Sequence, residues 1–238
     1  NPARARKKFT VDFAPVTTPQ VRCAIAACTL ALLSTVARVP ANAQRLRNAA
    51  VNASFGARGL ERLELLGAGD AFQFRDDNFE ITLSGRRITS EKLPAPTVQR
   101  EAQRITYHWR AGTIAIDAIY ELRPTWRFLS KQIVVASAGD APSYHIDSLT
   151  VWRTAFVEAP SDSYVPTSPR PALLTRDYGV ALRFAKQRSL LAVIQNPFVT
   201  VYRDSNRVSL SYKSGMEWRA AYGAFTSDRA LLAPLRLS

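Results

Sequence analysis

The 238-residue sequence predicts an all-β fold, a large antiparallel β-sandwich, on three observations. Short runs recur in which branched and aromatic residues alternate with polar ones, the pattern of strands with one buried and one wet face. Turn signals separate those runs, among them many of the 14 prolines. Beyond the first forty or so residues no segment carries a helical repeat apart from a weak turn near Ala57–Arg62. At 47% hydrophobic the chain has enough apolar surface to bury a sizeable core.

Residues 1–43 stand apart. The apolar run "CAIAACTLALLSTVA" follows Arg4, Arg6, Lys7, Lys8 and Arg22 and precedes "VPANAQ", where Ala41 and Ala43 supply the small residues of an A-x-A cleavage site. The segment predicts an N-terminal extension and a signal-peptide helix cut after Ala43, and places the protein in the periplasm or outside a bacterial cell. The run is too short to cross a bilayer comfortably, since a span takes about 20 apolar residues, and Arg38 and Pro40 end it, so no stable membrane insertion is expected after cleavage. Cys23 and Cys28 are the only cysteines, so residues 44–238, the sandwich domain, must fold without disulfides. Cleavage leaves 26 basic against 18 acidic residues, a formal charge of +8.

Within the sandwich the runs can be placed in order. "FEITLSG" and "RRITS" meet at Gly85. "QRITYHWR" sets Ile105, Tyr107 and Trp109 on one face and Arg104, Thr106, His108 and Arg110 on the other; it pairs across Ala111-Gly112 with "TIAIDAIYEL", whose Ile114, Ile116, Ala118 and Tyr120 share a face. "TWRFLSKQIVVAS" alternates imperfectly, which predicts a bulge. "SLTVWRTAF", "GVALRF", "LLAVIQ", "FVTVYR" and "RVSLSYK" follow, the last with Val208, Leu210 and Tyr212 inward. "EAPSDSYVPTSPRPALL" has no periodicity and predicts a long loop.

Chemistry-bearing residues are few. His108 lies on the wet face of its strand, and His145 shares a face with Asp147 but has no third ligand nearby, so neither a metal nor a cofactor is expected. "GAGD" at Gly67–Asp70 is a turn without the strand–helix frame of a dinucleotide fingerprint. Glycoside cleavage takes two carboxyl groups, yet Asp76, Asp77, Glu80, Glu217 and Asp228 show no spacing that fixes a pair and read as acids at turns and strand ends. No catalytic residue is assigned. Trp126, which opens an expected strand beside Arg127, and Trp218, in "MEWRAAY" between Glu217 and Arg219, offer aromatic faces on which the C–H side of a sugar ring stacks, with charged neighbours for its hydroxyls. The arginines are spread singly among apolar residues and form no patch, which speaks against nucleic acid. An outer-membrane barrel is opposed by charges on both faces of several strands.

The stretch "YELRPTWRFLSKQIVV", with "LLAVIQNPF" and "VSLSYKSGMEWRAAYGAFTSDRALLAPLRLS", resembles the N-terminal β-supersandwich of bacterial proteins related to retaining α-galactosidases, the melibiases. The resemblance covers roughly residues 59–238 and implies a supersandwich of the galactose-mutarotase-like kind. In those proteins a (β/α)8 barrel follows and holds the catalytic aspartates, so the resemblance implies a chain that stops before its barrel. It also implies a supporting role for a sandwich loop at the barrel mouth, with Trp218, Arg219, Asp228 and Arg229 the nearest matches; with Trp126 these form the expected carbohydrate site. The expected function is a non-catalytic accessory domain of a secreted glycoside hydrolase, partnered by carbohydrate and the barrel. A stand-alone carbohydrate- or envelope-binding sandwich is the alternative.

Overall fold

The structure is a computed structural model that describes residues 44–137, 143–165 and 178–236. The expected signal peptide and the cleavage site at Ala43 lie outside the described residues. Among the described residues eighteen strands make two antiparallel sheets of nine. The first contains β1 (Gln44–Arg47), β2 (Val51–Phe55), β3 (Leu60–Leu65), β4 (Asp70–Leu83), β10 (Tyr144–Phe156), β15 (Arg207–Tyr212) and β14 (Thr200–Asp204) in that order, with β5 (Arg86–Thr89) on β4 and β16 (Met216–Trp218) on β10. The second runs β11 (Asp162–Tyr164), β12 (Gly179–Arg183), β13 (Arg188–Ile194), β18 (Ala230–Arg236), β9 (Leu129–Ser137), β8 (Ile114–Glu121), β7 (Arg104–Ala111) and β6 (Thr97–Arg100), with β17 (Phe225–Thr226) on β9. Among the described residues each sheet ends on edge strands and does not close on itself. Among the described residues no helix is long and apolar enough to cross a membrane.

The turns follow from local chemistry. β4 and β5 are joined by Ser84 and Gly85, both at positive φ (48° and 76°), the two-residue turn whose twist matches its flanking strands. β7 and β8 form the expected hairpin, but Ala111 pairs with Ile114, so the turn is Gly112-Thr113, one residue later than Ala111-Gly112, with Gly112 at φ 69°. Gly67 and Gly69 turn β3 into β4. Two further local expectations are corrected. The stretch at Ala57–Arg62 is a bend leading directly into β3, because Leu60 and Leu63 belong to the core. Part of the predicted long loop is ordered as β11, paired to β12.

The core lies between the sheets. Ile105, Tyr107 and Trp109 of β7, Ile114, Ile116, Ala118 and Tyr120 of β8, and Val208, Leu210 and Tyr212 of β15 all face inward and are buried. Aromatic pairs knit the sheets: Phe55 with Tyr120 at 5.0 Å and Phe79 with Trp109 at 5.2 Å, both edge-on, each pair contributing about 0.5–1.5 kcal/mol beyond area burial. A second cluster joins Phe72, Phe74, Trp152, Phe156 and Phe184.

The imperfect alternation of β9 is not a bulge. Leu129, Lys131, Ile133 and Val135 all point inward, Ser130–Ser137 pair with β8 in unbroken register, and the polar residue that breaks the sequence pattern is a lysine buried between the sheets.

Candidate functional site

Of three register shifts between β4 and β10, two shape the outer face of the first sheet. Asp76 lies opposite Ala155 and Phe74 opposite Phe156, so β4 carries one extra residue, Arg75. Glu80 lies opposite Thr150 and Asn78 opposite Arg153, so β10 carries one extra residue at Val151–Trp152, both buried. Bulges of this kind re-aim side chains. Beyond them Asp77, Phe79 and Ile81 point to the core, while Asp76, Asn78, Glu80, Thr150 and Arg153 border a groove of about 510 Å³ on the outer face, closed by Arg87 of β5 and Tyr202 of β14.

The groove is polar and organised. Glu80 Oε2 accepts from Arg87 Nη2 at 2.5 Å and lies 3.3 Å from Arg153 Nη1; Arg153 Nη2 reaches Glu91 Oε2 at 2.9 Å. Asp76 Oδ1 accepts the Ala155 N–H at 2.7 Å. Asn78 Oδ1 accepts from Ser90 Oγ at 2.9 Å. Tyr202 is 58% exposed, an open aromatic face beside these groups. Exposed ion pairs of this type add little stability, about 0–1 kcal/mol each; their effect is to hold a row of donors and acceptors in place.

Beneath the groove the bulged strand is pinned from the other side. Asp77 Oδ1 takes the Lys131 ammonium at 2.6 Å, and Oδ2 takes the Tyr120 hydroxyl at 2.6 Å and the Leu60 N–H at 3.0 Å. Lys131 also donates to the Asn78 carbonyl at 3.1 Å. Burial pushes the Lys131 ammonium below its ordinary range, and the charge and hydrogen bond of Asp77 work against that shift. Burial, then the Asp77 charge, pushes the Tyr120 hydroxyl well up. A side chain at Gly59 would stand 3.1 Å from Asp77, at a φ of +151°. Three acids expected at turns or strand ends, Asp76, Asp77 and Glu80, therefore sit in the middle of a 14-residue strand. Their signal was present: Asp76, Asn78 and Glu80 alternate along "DDNFEITL", the first two upstream of the run "FEITLSG" that begins at Phe79. Arg87, Arg153 and Tyr202 had no local mark, because strands distant in sequence bring them together.

None of the five tryptophan, arginine and aspartate residues expected at the site is among the residues lining the groove; they fall in two other places. Trp126 does not open a strand. It sits in the connection before β9, half-buried, stacked on Phe128 at 4.7 Å with the Arg123 and Arg229 guanidiniums 4.8 and 5.8 Å from its ring centre. Arg229 Nη1 donates to Glu121 Oε2 at 2.7 Å and to Ser130 Oγ at 3.3 Å. Burial alone would raise the Glu121 carboxyl, but hydrogen bonds from Arg229 and Arg123 outweigh it and hold the group below its usual range. Trp218 and Asp228 border a cavity of about 610 Å³ at one end of the sandwich. Trp218 is buried, stacked on Tyr144 at 5.8 Å, and its N–H donates to the Gly223 carbonyl at 2.9 Å. Arg219 is exposed, 3.6 Å from Glu217. His108 pairs with Asp117, and His145 with Asp147, each at 2.8 Å. Asp147 lies below its usual range because the Gly85 N–H and His145 hydrogen-bond it. Among the described residues no group of three or more His, Cys, Asp or Glu could hold a metal ion.

No family model matches this sequence, and no curated protein sequence does. Solved structures do match. A galactose mutarotase related enzyme from Lactobacillus acidophilus superposes with a TM-score of 0.55 at 11% identity, over 79% of this chain and 96% of that one. A galactose mutarotase-like protein from Lactobacillus casei gives a TM-score of 0.51 at 12% identity, over 81% and 99%. A family 36 α-galactosidase from Geobacillus stearothermophilus aligns over 72% of this chain and 29% of its own, at a TM-score of 0.36, too low to reason from. In the two Lactobacillus proteins the matched sandwich is nearly the whole chain, so the fold occurs there without an attached barrel. At these identities the likeness establishes architecture: the chain has a galactose-mutarotase-like β-sandwich fold.

Proposed function

We propose that the chain recognises carbohydrate and does not cleave it, with the outer groove of the first sheet as its principal site. The observation that carries this is the exposed Tyr202 beside a fixed row of carboxylates, guanidiniums and an amide. Sugar hydroxyls both donate and accept, and a pyranose presents a C–H face to an aromatic ring. The sugar-related names of the structural neighbours support the same ligand class. Against turnover, three of the four groove acids are already engaged, Glu80 by two arginines, Glu91 by one and Asp76 by a backbone N–H, which leaves Asp204 without a second carboxyl group, and retaining cleavage needs two about 5–5.5 Å apart on either side of the bond. Incubating the chain with aryl α- and β-galactosides should release no phenol. Release abolished by Glu80→Gln would overturn the binding-only role.

Two settings suit this role. As an accessory domain of a secreted α-galactosidase-like hydrolase, the sandwich would help to shape a sugar site completed by a catalytic barrel. As a stand-alone binding protein it would act on free or envelope glycans, and the near-complete coverage of both Lactobacillus neighbours favours that setting. A reading frame continuing past Ser238 into alternating strands and helices supports the first, and a stop codon the second. We also infer export, with a mature chain beginning at Gln44, the first residue of β1; N-terminal sequencing of protein from the cell envelope should read QRLRNAA, and an intact Cys28 there would refute it.

A further inference from the structure

The cavity of about 610 Å³ lies where β16 of the first sheet and β17 of the second approach the Asn196–Phe198 connection. Three large apolar side chains stand exposed around it: Tyr222 at 69%, Phe198 at 59% and Met216 at 43%. At its wall the Asp228 carboxylate accepts from Asn196 Nδ2 at 2.8 Å, through Oδ2. Asn196 Oδ1 accepts the Phe198 N–H at 2.8 Å, which fixes the amide orientation, since a flip would lose both bonds. The Asp228 backbone N–H donates in turn to the buried Tyr212 hydroxyl at 3.1 Å, anchoring the residue to the core.

The second amide N–H of Asn196 lies beside the Asp228 carboxylate, a donor next to an acceptor, with the Tyr212 hydroxyl bonded to the same carboxylate from the core side. Two vicinal hydroxyls match that arrangement: one donates to Asp228 while its neighbour accepts from Asn196. The exposed rings supply a surface for the C–H face of the same sugar. Lys213 and Asp228 border the cavity with opposite sign, and Glu217 is offset by Arg219 at 3.6 Å, so neither an anion nor a cation is strongly favoured. We propose that this end cavity is a second carbohydrate site, for a neutral pyranose bearing a vicinal diol, distinct from the groove on the outer face. It rests on the carbohydrate role proposed above, at residues the groove does not use.

The test is saturation-transfer NMR titration of the full chain with the methyl glycosides of D-galactose, D-glucose and D-mannose, repeated on Tyr222→Ala, Tyr222→Phe, Asp228→Asn and Glu80→Gln. Tyr222 is exposed, so its replacement leaves the fold intact, and Tyr222→Phe should bind as the parent does. Tyr222→Ala should weaken one of two binding events by about tenfold, and Asp228→Asn should weaken the same event while leaving that sensitive to Glu80→Gln in place. Binding that Glu80→Gln removes and Tyr222→Ala leaves untouched overturns the second site but not the groove. Binding that Tyr222→Ala removes and Glu80→Gln leaves untouched supports the cavity and overturns the groove. No binding of any glycoside overturns both.

Discussion

Lys131 is the residue on which the two sheets depend most sharply. Its ammonium has no exposure and is held by Asp77 and the Asn78 carbonyl, with Tyr120 and Leu60 completing the carboxylate's partners. Removing one member of such a pair leaves the other charge buried without compensation, which costs about 3–5 kcal/mol. Lys131→Met should therefore lose stability on that scale in urea unfolding, and combining it with Asp77→Asn should restore part of the loss. A single variant within about 0.5 kcal/mol of the parent would contradict this placement. The sequence could not disclose the pair: an inward lysine mimics a defect in alternation, and its partner lies 54 residues away on the opposite sheet.

Strands with regular alternation were legible before the structure, as β7, β8 and β15 show, because one buried face forces the period of two into the sequence. The bulges in β4 and β10 were not, since each shifts the inward set by one residue and makes polar groove positions look like ends of strands. That is why Glu80 reads in sequence as an acid at a strand end and Arg153 carries no mark, while Trp126 and Trp218 are conspicuous by type. Glycine also acts at this scale. Gly179 in β12 has a φ of +150°, and a Cβ there would lie 2.1 Å from the Ala192 carbonyl oxygen of β13. Because that neighbour is backbone and cannot rotate aside, Gly179→Ala should cost about 1–3 kcal/mol and lower the thermal midpoint. An unchanged midpoint would mean that β12 and β13 are spaced more widely than the structure has them.

Across the whole molecule, two open sheets share one core, and the outer face of the first carries the residues suited to a sugar. The fold class was legible from strand periodicity, turn residues and the absence of helical repeats; the site was not, because it is assembled from β4, β5, β10, β14 and β15. Carbohydrate binding to the groove can be measured by calorimetric titration of the full chain with neutral oligosaccharides, comparing the parent with Tyr202→Ala and Arg153→Ala. Binding is expected on the order of millimolar, weakened about tenfold by Tyr202→Ala and further by Arg153→Ala. Absence of any binding, or binding indifferent to both substitutions, would contradict a carbohydrate site on this face of the sandwich.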